Sequence, residues 1–223
     1  MADTLLTIQG KIAAFLDSNA SAPSDGSLAW ARRTSYINRA QQMWSEAFDW
    51  QSLYKEYNAQ VSAPSGNTTQ SLPSDFRRLG GNPLINGLKL LDISPSERGD
   101  FGNTTRLAYV LGAPASYKLI VRWQESVGSL SSIMVPYFAT PVSMTTAGAI
   151  SPVPDPEYLV AKAVGMELRS LVKDHASADR EDARAEMILR NMINSEVSAP
   201  MGSERTVPKI LERGSVPAPA GNA

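Results

Sequence analysis

The sequence predicts an α+β protein: a helical bundle built from both ends of the chain, a β-rich insertion between the N-terminal and C-terminal helices, and an extended C-terminal tail. Three observations carry this prediction. Apolar residues recur every three or four positions up to about residue 50 and again from about 157 to 193, the period of amphipathic helices. The stretch between them consists of short aromatic and aliphatic runs broken by Pro, Gly, Asn and Ser, the pattern of strands and turns. After residue 197 prolines and glycines recur too often for a packed core. The expected division is 1–50 with 151–197 as one discontinuous helical domain, 51–150 as the insertion, and 198–223 as the tail.

The elements follow in order. Leu5, Ile8, Ile12 and Phe15 lie on one face of a first helix, with Asp3 or Thr4 as its cap. Asn19 to Gly26 is small, polar and contains Pro23, so it is a loop. Ser27 caps a longer helix whose apolar stripe is Trp30, Ile37, Ala40, Trp44, Ala47 and Phe48, with Arg32, Arg33, Asn38, Arg39, Gln41 and Gln42 on the other side, ending near Asp49-Trp50. Candidate strands are Ser52–Val61, Gly87–Ile93, Arg106–Leu111, Tyr117–Trp123 and Ser132–Ala139. Turn signals fall at Pro64-Ser65-Gly66-Asn67, Gly80-Gly81-Asn82-Pro83, Ser96–Asn103 and Gly112-Ala113-Pro114. No helix-length segment separates the strands, which points to an antiparallel sheet or small sandwich rather than β-α-β units.

Pro152, Pro154 and Pro156 form an extended entry to the closing helices. Asp155-Pro156-Glu157 is a helix start. Val160, Ala163, Val164, Leu168, Leu171 and Val172 supply its buried face, and a break falls near Lys173–Ser177. The last helix carries Ala178, Ala185, Ile188, Leu189, Met192 and Ile193. Its alternating charges, Asp179, Arg180, Glu181, Asp182, Arg184 and Glu186, read as a solvated face. The tail holds one apolar cluster, Val207, Ile210, Leu211 and Val216. Such a segment is either a frayed terminus or a docking element that adds a strand or fills a groove on a neighbour.

Composition removes several classes of function. The chain is 43% hydrophobic and 19% charged, with a net charge of −1, which fits a folded protein and gives no electrostatic drive toward nucleic acid or anionic membrane. It has no cysteine, hence no disulfide framework, thiolate zinc site or cysteine nucleophile. No run approaches the ~18 apolar residues of a membrane span. The start, Met1 to Thr4, lacks the basic region of a signal peptide.

The search for chemistry finds little. The single histidine, His175, has no Gly-x-Ser-x-Gly motif beside it and reads as a surface residue. Asp174, Asp179, Glu181, Asp182 and Glu186 leave a carboxylate-only calcium or magnesium site open, but the EF-hand spacing is missing and arginines are interleaved. Gly80-Gly81 leads to Asn82-Pro83 and lacks the pattern of a phosphate-binding loop. Asp75, Asp92 and Asp100 are scattered. We therefore expect no enzyme, no cofactor and no metal. Arg32, Arg33 and Arg39 sit together on one helix, yet acidic residues offset the basic ones throughout the chain; no stripe is long enough for tight DNA binding. In an oligomeric ring they could still line a channel or a subunit interface.

The order of these elements resembles the head–tail adaptor (connector) proteins of tailed bacteriophages. Four features carry the resemblance. The first is Tyr36-Ile37-Asn38-Arg39-Ala40 leading through Trp44 to Phe48-Asp49-Trp50. The second is Leu72-Pro73-Ser74-Asp75-Phe76-Arg77-Arg78-Leu79 at the opening of the β-rich insertion. The third is Val135-Pro136-Tyr137-Phe138 followed by Pro141. The fourth is Pro156-Glu157-Tyr158-Leu159 with Gly165-Met166-Glu167-Leu168-Arg169, then a closing helix with Ala183, Arg184, Ala185 and Leu189. The resemblance covers roughly residues 1 to 195.

It implies a structural protein of the virion neck, assembled in the host cytoplasm. Copies of the chain would pack side by side in a ring, commonly a dodecamer, below the portal. The ring would bind the portal protein above and a tail or nozzle/stopper protein below, and genomic DNA would pass through it without sequence-specific contacts; no membrane is involved. The tail would reach the portal, with Thr206, Val207, Ile210, Leu211 and Val216 as its docking residues. The competing readings are a virion-associated wall hydrolase with a carboxylate site, and another neck protein such as a stopper, tail-completion or minor capsid protein.

Overall fold

The computed structural model describes residues 3–18, 21–61, 66–97, 106–123 and 131–198. Four helices, α1 (Leu5–Leu16), α2 (Leu28–Ala47), α3 (Glu157–Glu167) and α4 (His175–Ser198), enclose in sequence nine strands: β1 (Tyr54–Val61), β2 (Gly66–Ser71), β3 (Phe76–Leu79), β4 (Leu84–Ile85), β5 (Leu88–Lys89), β6 (Leu91–Asp92), β7 (Leu107–Leu111), β8 (Lys118–Trp123) and β9 (Ser131–Ala139). This is the predicted α+β arrangement with a β-rich insertion.

Local chemistry sets the helix ends. Thr4 caps α1 by accepting from the Thr7 amide at 3.3 Å, and Ser27 caps α2 by accepting from the Trp30 amide at 3.1 Å. Asp155 accepts from the Glu157 amide at 3.0 Å, and Pro156 already has helical backbone angles at the mouth of α3. After α3 a wider turn spans Leu168–Val172, Lys173 adopts a left-handed conformation (φ 55°), and Asp174 caps α4 through the Ser177 amide at 3.0 Å. The expected break thus falls where the sequence put it. Leu171 and Val172 do not join the buried face as predicted: the wide turn rotates them outward, and they are 50% and 60% exposed. Phe15, at the last turn of α1, is likewise half-exposed.

Helix α3 is the axis of the bundle. Residues on every side of it are buried, which marks a helix with neighbours all round. It packs against α1, α2 and α4. Gly165 sets the α3–α4 approach, because a side chain there would meet the Ala178 carbonyl and the Asp182 carboxylate at 3.4 Å. The helical core is Leu5, Ile8, Ile12, Ile37, Ala40, Trp44, Tyr158, Leu159, Val164, Ala178 and Ala185 with their neighbours.

The segment between β9 and α3 wraps the helices as an extended strap. Asn38 of α2 grips Met144 twice, donating to its carbonyl at 3.0 Å and accepting from its amide at 2.8 Å. Gln41 donates to the Val142 carbonyl and accepts from the Ser151 hydroxyl. The amides of Leu5 and Leu6 donate to the carbonyls of Ala149 and Ala147. The polar side of α2 is therefore in part an internal docking strip: Arg33 and Gln41 are buried rather than solvent-facing.

The insertion resolves into two sheets packed as a small sandwich. The first has the order β1-β9-β4-β5, with β3 pairing on β9 beside β4; the second has the order β2-β8-β7-β6. All pairs are antiparallel except β6 with β7, a departure from the wholly antiparallel expectation. The two inner faces meet in a second core that includes Phe76, Ile85, Leu90, Ala108, Leu119, Val121, Ile133, Val135 and Tyr137. The predicted strand Gly87–Ile93 is divided. Asn86 and Gly87, both at positive φ, make a two-residue hairpin turn between β4 and β5, and buried Leu90 carries the chain from the first sheet to the second. Ser52 and Leu53 form a short helical turn rather than the start of β1. Gly66 and Asn67 belong to β2 and not to a turn.

Helices and sheets join at the C-terminal end of α2, whose last carbonyls lack intrahelical partners. Trp50 Nε1 donates to the Trp44 carbonyl at 2.7 Å, and Arg77 of β3 donates to the Ser45 carbonyl. Asp49 pairs with Arg77 and Arg78, and Arg78 also lies over the Phe138 ring at 5.5 Å.

Candidate interaction surfaces

Charge placement decides what each surface offers. Helix α3 carries three ionic residues in an otherwise apolar sequence, and each reaches a surrounding helix. Glu157 accepts from Lys11 of α1 at 2.8 Å and from Arg184 of α4 at 2.9 Å. Lys162 meets Asp182 of α4 at 3.1 Å. Glu167 accepts from Arg33 of α2 at 2.9 Å and from Arg32 at 3.0 Å. Of these pairs only Arg33–Glu167 is buried on both sides, and a buried charge persists only when paired.

The three candidate arginines therefore separate. Arg33, 3% exposed, is spent inside the subunit on Glu167 and Asp17. Arg32 is half-buried and also bonded to Glu167. Arg39 alone of the three is exposed, with no ion-pair partner among the described residues. The structure does not bring them together as one basic surface. Thr206, Val207, Ile210, Leu211 and Val216 lie outside the described residues.

The alternating charges of α4 divide: Asp179, Arg180 and Glu186 are exposed, as the sequence suggests, whereas Glu181, Asp182 and Arg184 are partly covered. Asp179 and Asp182 pair with Arg169, Asp182 also serves Lys162, and Glu181 holds Arg184. They form a seam toward α3 and its following turn. Hydrogen bonds from Ser177 hold the Asp174 carboxyl below its ordinary range. His175 is exposed at the first position of α4. Among the described residues no group of three His, Asp or Glu could hold a metal ion, and no helix is long and apolar enough to cross a membrane.

Two helix faces present shallow grooves. On the outer side of α4, Ala183, Glu186, Met187, Arg190, Asn191 and Asn194 line a shallow groove of about 520 Å³. Met187 and Val197 there are 59% and 55% exposed. Leu6, Thr7, Gly10, Lys11 and Ala14 of α1, with Ala22 of the following loop, line a second groove of about 500 Å³.

The Leu72–Leu79 stretch becomes a built corner. Leu72 and Phe76 are buried, and Phe76 stacks on Tyr137 at 5.7 Å. Asp75 accepts from the Tyr137 hydroxyl at 3.1 Å and from Lys55 at 2.7 Å. Burial, followed by the Asp75 carboxylate, pushes the Tyr137 phenol up to about 12; burial, with Glu186 and Asp182 nearby, does the same at Tyr158. Both tyrosines hold their protons more tightly when folded than when unfolded, where the phenol titrates near 10. Their contribution is complete below pH ~10 and is lost as the pH climbs toward 12. Across that window the unfolding free energy should fall by up to about 1.4 kcal/mol per pH unit for each tyrosine. Urea titrations at pH 9 to 11.5 should show a shallower decline for Tyr158→Phe.

The fold is an α+β scaffold that ties its helices with ion pairs, braces them with a strap and leaves parts of two helix faces uncovered. A family model for the SU10 adaptor protein matches residues 3–208. The chain belongs to this family of phage head–tail adaptors. A comparison with curated proteins finds no match.

Proposed function

We propose that the chain is a structural adaptor of the virion neck that assembles into a ring below the portal, extends the DNA channel and joins the capsid to the tail. The family match over residues 3–208 carries this reading. The uncovered outer face of α4 supports it. Among the helices α4 packs on α3, and a long helix whose open flank mixes Met187 with Glu186, Arg190, Asn191 and Asn194 suits the head-to-tail contacts that close a ring. Twelve copies are expected, from the family resemblance. Thr206, Val207, Ile210, Leu211 and Val216 are the proposed portal-docking residues. Arg39 is the basic residue best placed for the channel or a subunit interface, since Arg32 and Arg33 hold Glu167.

The test is co-assembly. Purified protein mixed with portal-bearing heads should give rings on the portal vertex by negative-stain imaging. A chain ending at Ser198 should stay folded and fail to attach. Attachment of that truncated chain as tight as that of the intact one would sink the docking role, and protein that never associates with heads would sink the ring.

A further inference from the structure

Strand β1 is an open edge. Tyr54–Val61 pairs with β9 along one side, and among the described residues no strand lies along the other. Every second residue of such an edge aims its N–H and C=O away from the sheet, where another strand can take them. Charged residues and proline are the usual protection of an edge. Here Lys55 and Glu56 guard only the first half, and Tyr57–Val61 has neither charge nor proline.

Helix α4 delivers the chain to this place. Glu196, in its last turn, accepts from the Gln51 amide at 2.8 Å, just before β1 begins. The helix ends at Ser198, and the sequence runs on to Ala223. Residues 199–205, extended at about 3.3 Å each, reach about 23 Å, close to the length of β1. The segment Thr206–Leu211 can therefore lie beside this edge. With Pro208 turned outward, Val207, Lys209 and Leu211 aim their N–H and C=O at β1. Pro208, which has no N–H, then stands on the new outer edge, where proline is tolerated.

We propose that in the free subunit Thr206–Leu211 adds as a strand to the open edge of its own β1. The occupant is the chain's own tail because a tethered segment is present at an effective concentration near ~1 mM, above that of other copies in dilute solution. The pairing stands without the portal reading. Only its consequence, that a partner must displace this strand before the tail can dock elsewhere, rests on that reading.

The test uses hydrogen exchange of the free protein, with no portal present. The outward amides of Tyr54–Val61 should exchange at least about 10-fold faster in a chain ending at Ser198 than in the full chain. The full-length Lys209→Pro variant, which removes one pairing donor, should shift them the same way. Amides of α3 should keep their protection in both variants, showing that the fold is intact. In the cysteine-free sequence, Asn58→Cys with Lys209→Cys, which the pairing places on the same face of the sheet, and a short thiol cross-linker should give an intramolecular product at low protein concentration. Equal exchange of β1 in full and truncated chains overturns the proposal. So does a cross-link that forms only between chains, which would make a second copy the occupant.

Discussion

Glu167→Ala lowers the unfolding free energy by about 3–5 kcal/mol, the range for removing one partner of a buried ion pair. The size follows from what is left behind. Glu167 and Arg33 are 4% and 3% exposed, and Glu167 is the acceptor of Arg33 Nε at 2.9 Å. Arg33 Nη1 is buried and finds no acceptor even with Glu167 in place. Without Glu167 the guanidinium keeps only Asp17, which is half in water. Arg32, about a third exposed, can turn to solvent and adds little to the cost. Urea titration with circular dichroism at pH 7 reads the loss. The double variant Arg33→Met with Glu167→Leu separates two accounts. If the penalty is that of a stranded charge, the double variant recovers most of the stability, since an apolar pair of similar volume often replaces a buried ion pair at no loss. If the pair itself stabilises the fold, the double variant stays as weak as the single one.

That buried pair also marks where the sequence stops being readable. Helix positions were legible because the apolar period and the caps agree at Thr4, Ser27 and Asp155. Strands β7, β8 and β9 were legible as dense apolar runs. Strand β2 was not: Gly66-Asn67-Thr68-Thr69-Gln70-Ser71 has no apolar residue, and its place is set by pairing with β8 across a long separation. Asn86-Gly87 did carry a hairpin signal, hidden inside an apolar run that looked like one strand. Nothing local marks Leu90 as the point where the chain changes sheets. As for the candidate residues, spacing put Arg32, Arg33 and Arg39 near one another, but burial depends on what packs against each. The available signal lay in α3. Glu157, Lys162 and Glu167 stand in a helix whose other residues are nearly all apolar, and charges in such a setting need partners. The four cations that serve the two glutamates, Lys11, Arg184, Arg32 and Arg33, could have been sought on the neighbouring helices.

Trp50→Ala should cost about 3–5 kcal/mol, the range for emptying a large aromatic site, and the loss should fall at the joint between bundle and sandwich. Trp50 is 1% exposed, stacks on Trp44 with ring centroids 4.7 Å apart, and takes Phe48 edge-on at 5.3 Å. Its indole N–H also satisfies the Trp44 carbonyl, one of the orphan acceptors at the end of α2. Trp50→Phe keeps most of the ring and removes the donor. It should cost about 1–3 kcal/mol, the penalty of a buried acceptor left unpaired. The difference between the two variants, read by urea titration, is then the packing share. An alanine variant no weaker than the phenylalanine one would mean that the joint depends on the hydrogen bond and that Trp44, Phe48 and Leu53 collapse into the gap. Packing dominance has a further consequence. Because Gln51 and the entry to β1 follow Trp50 directly, Trp50→Ala should also speed exchange of the Gln51 amide bonded to Glu196, whereas Trp50→Phe should leave it protected.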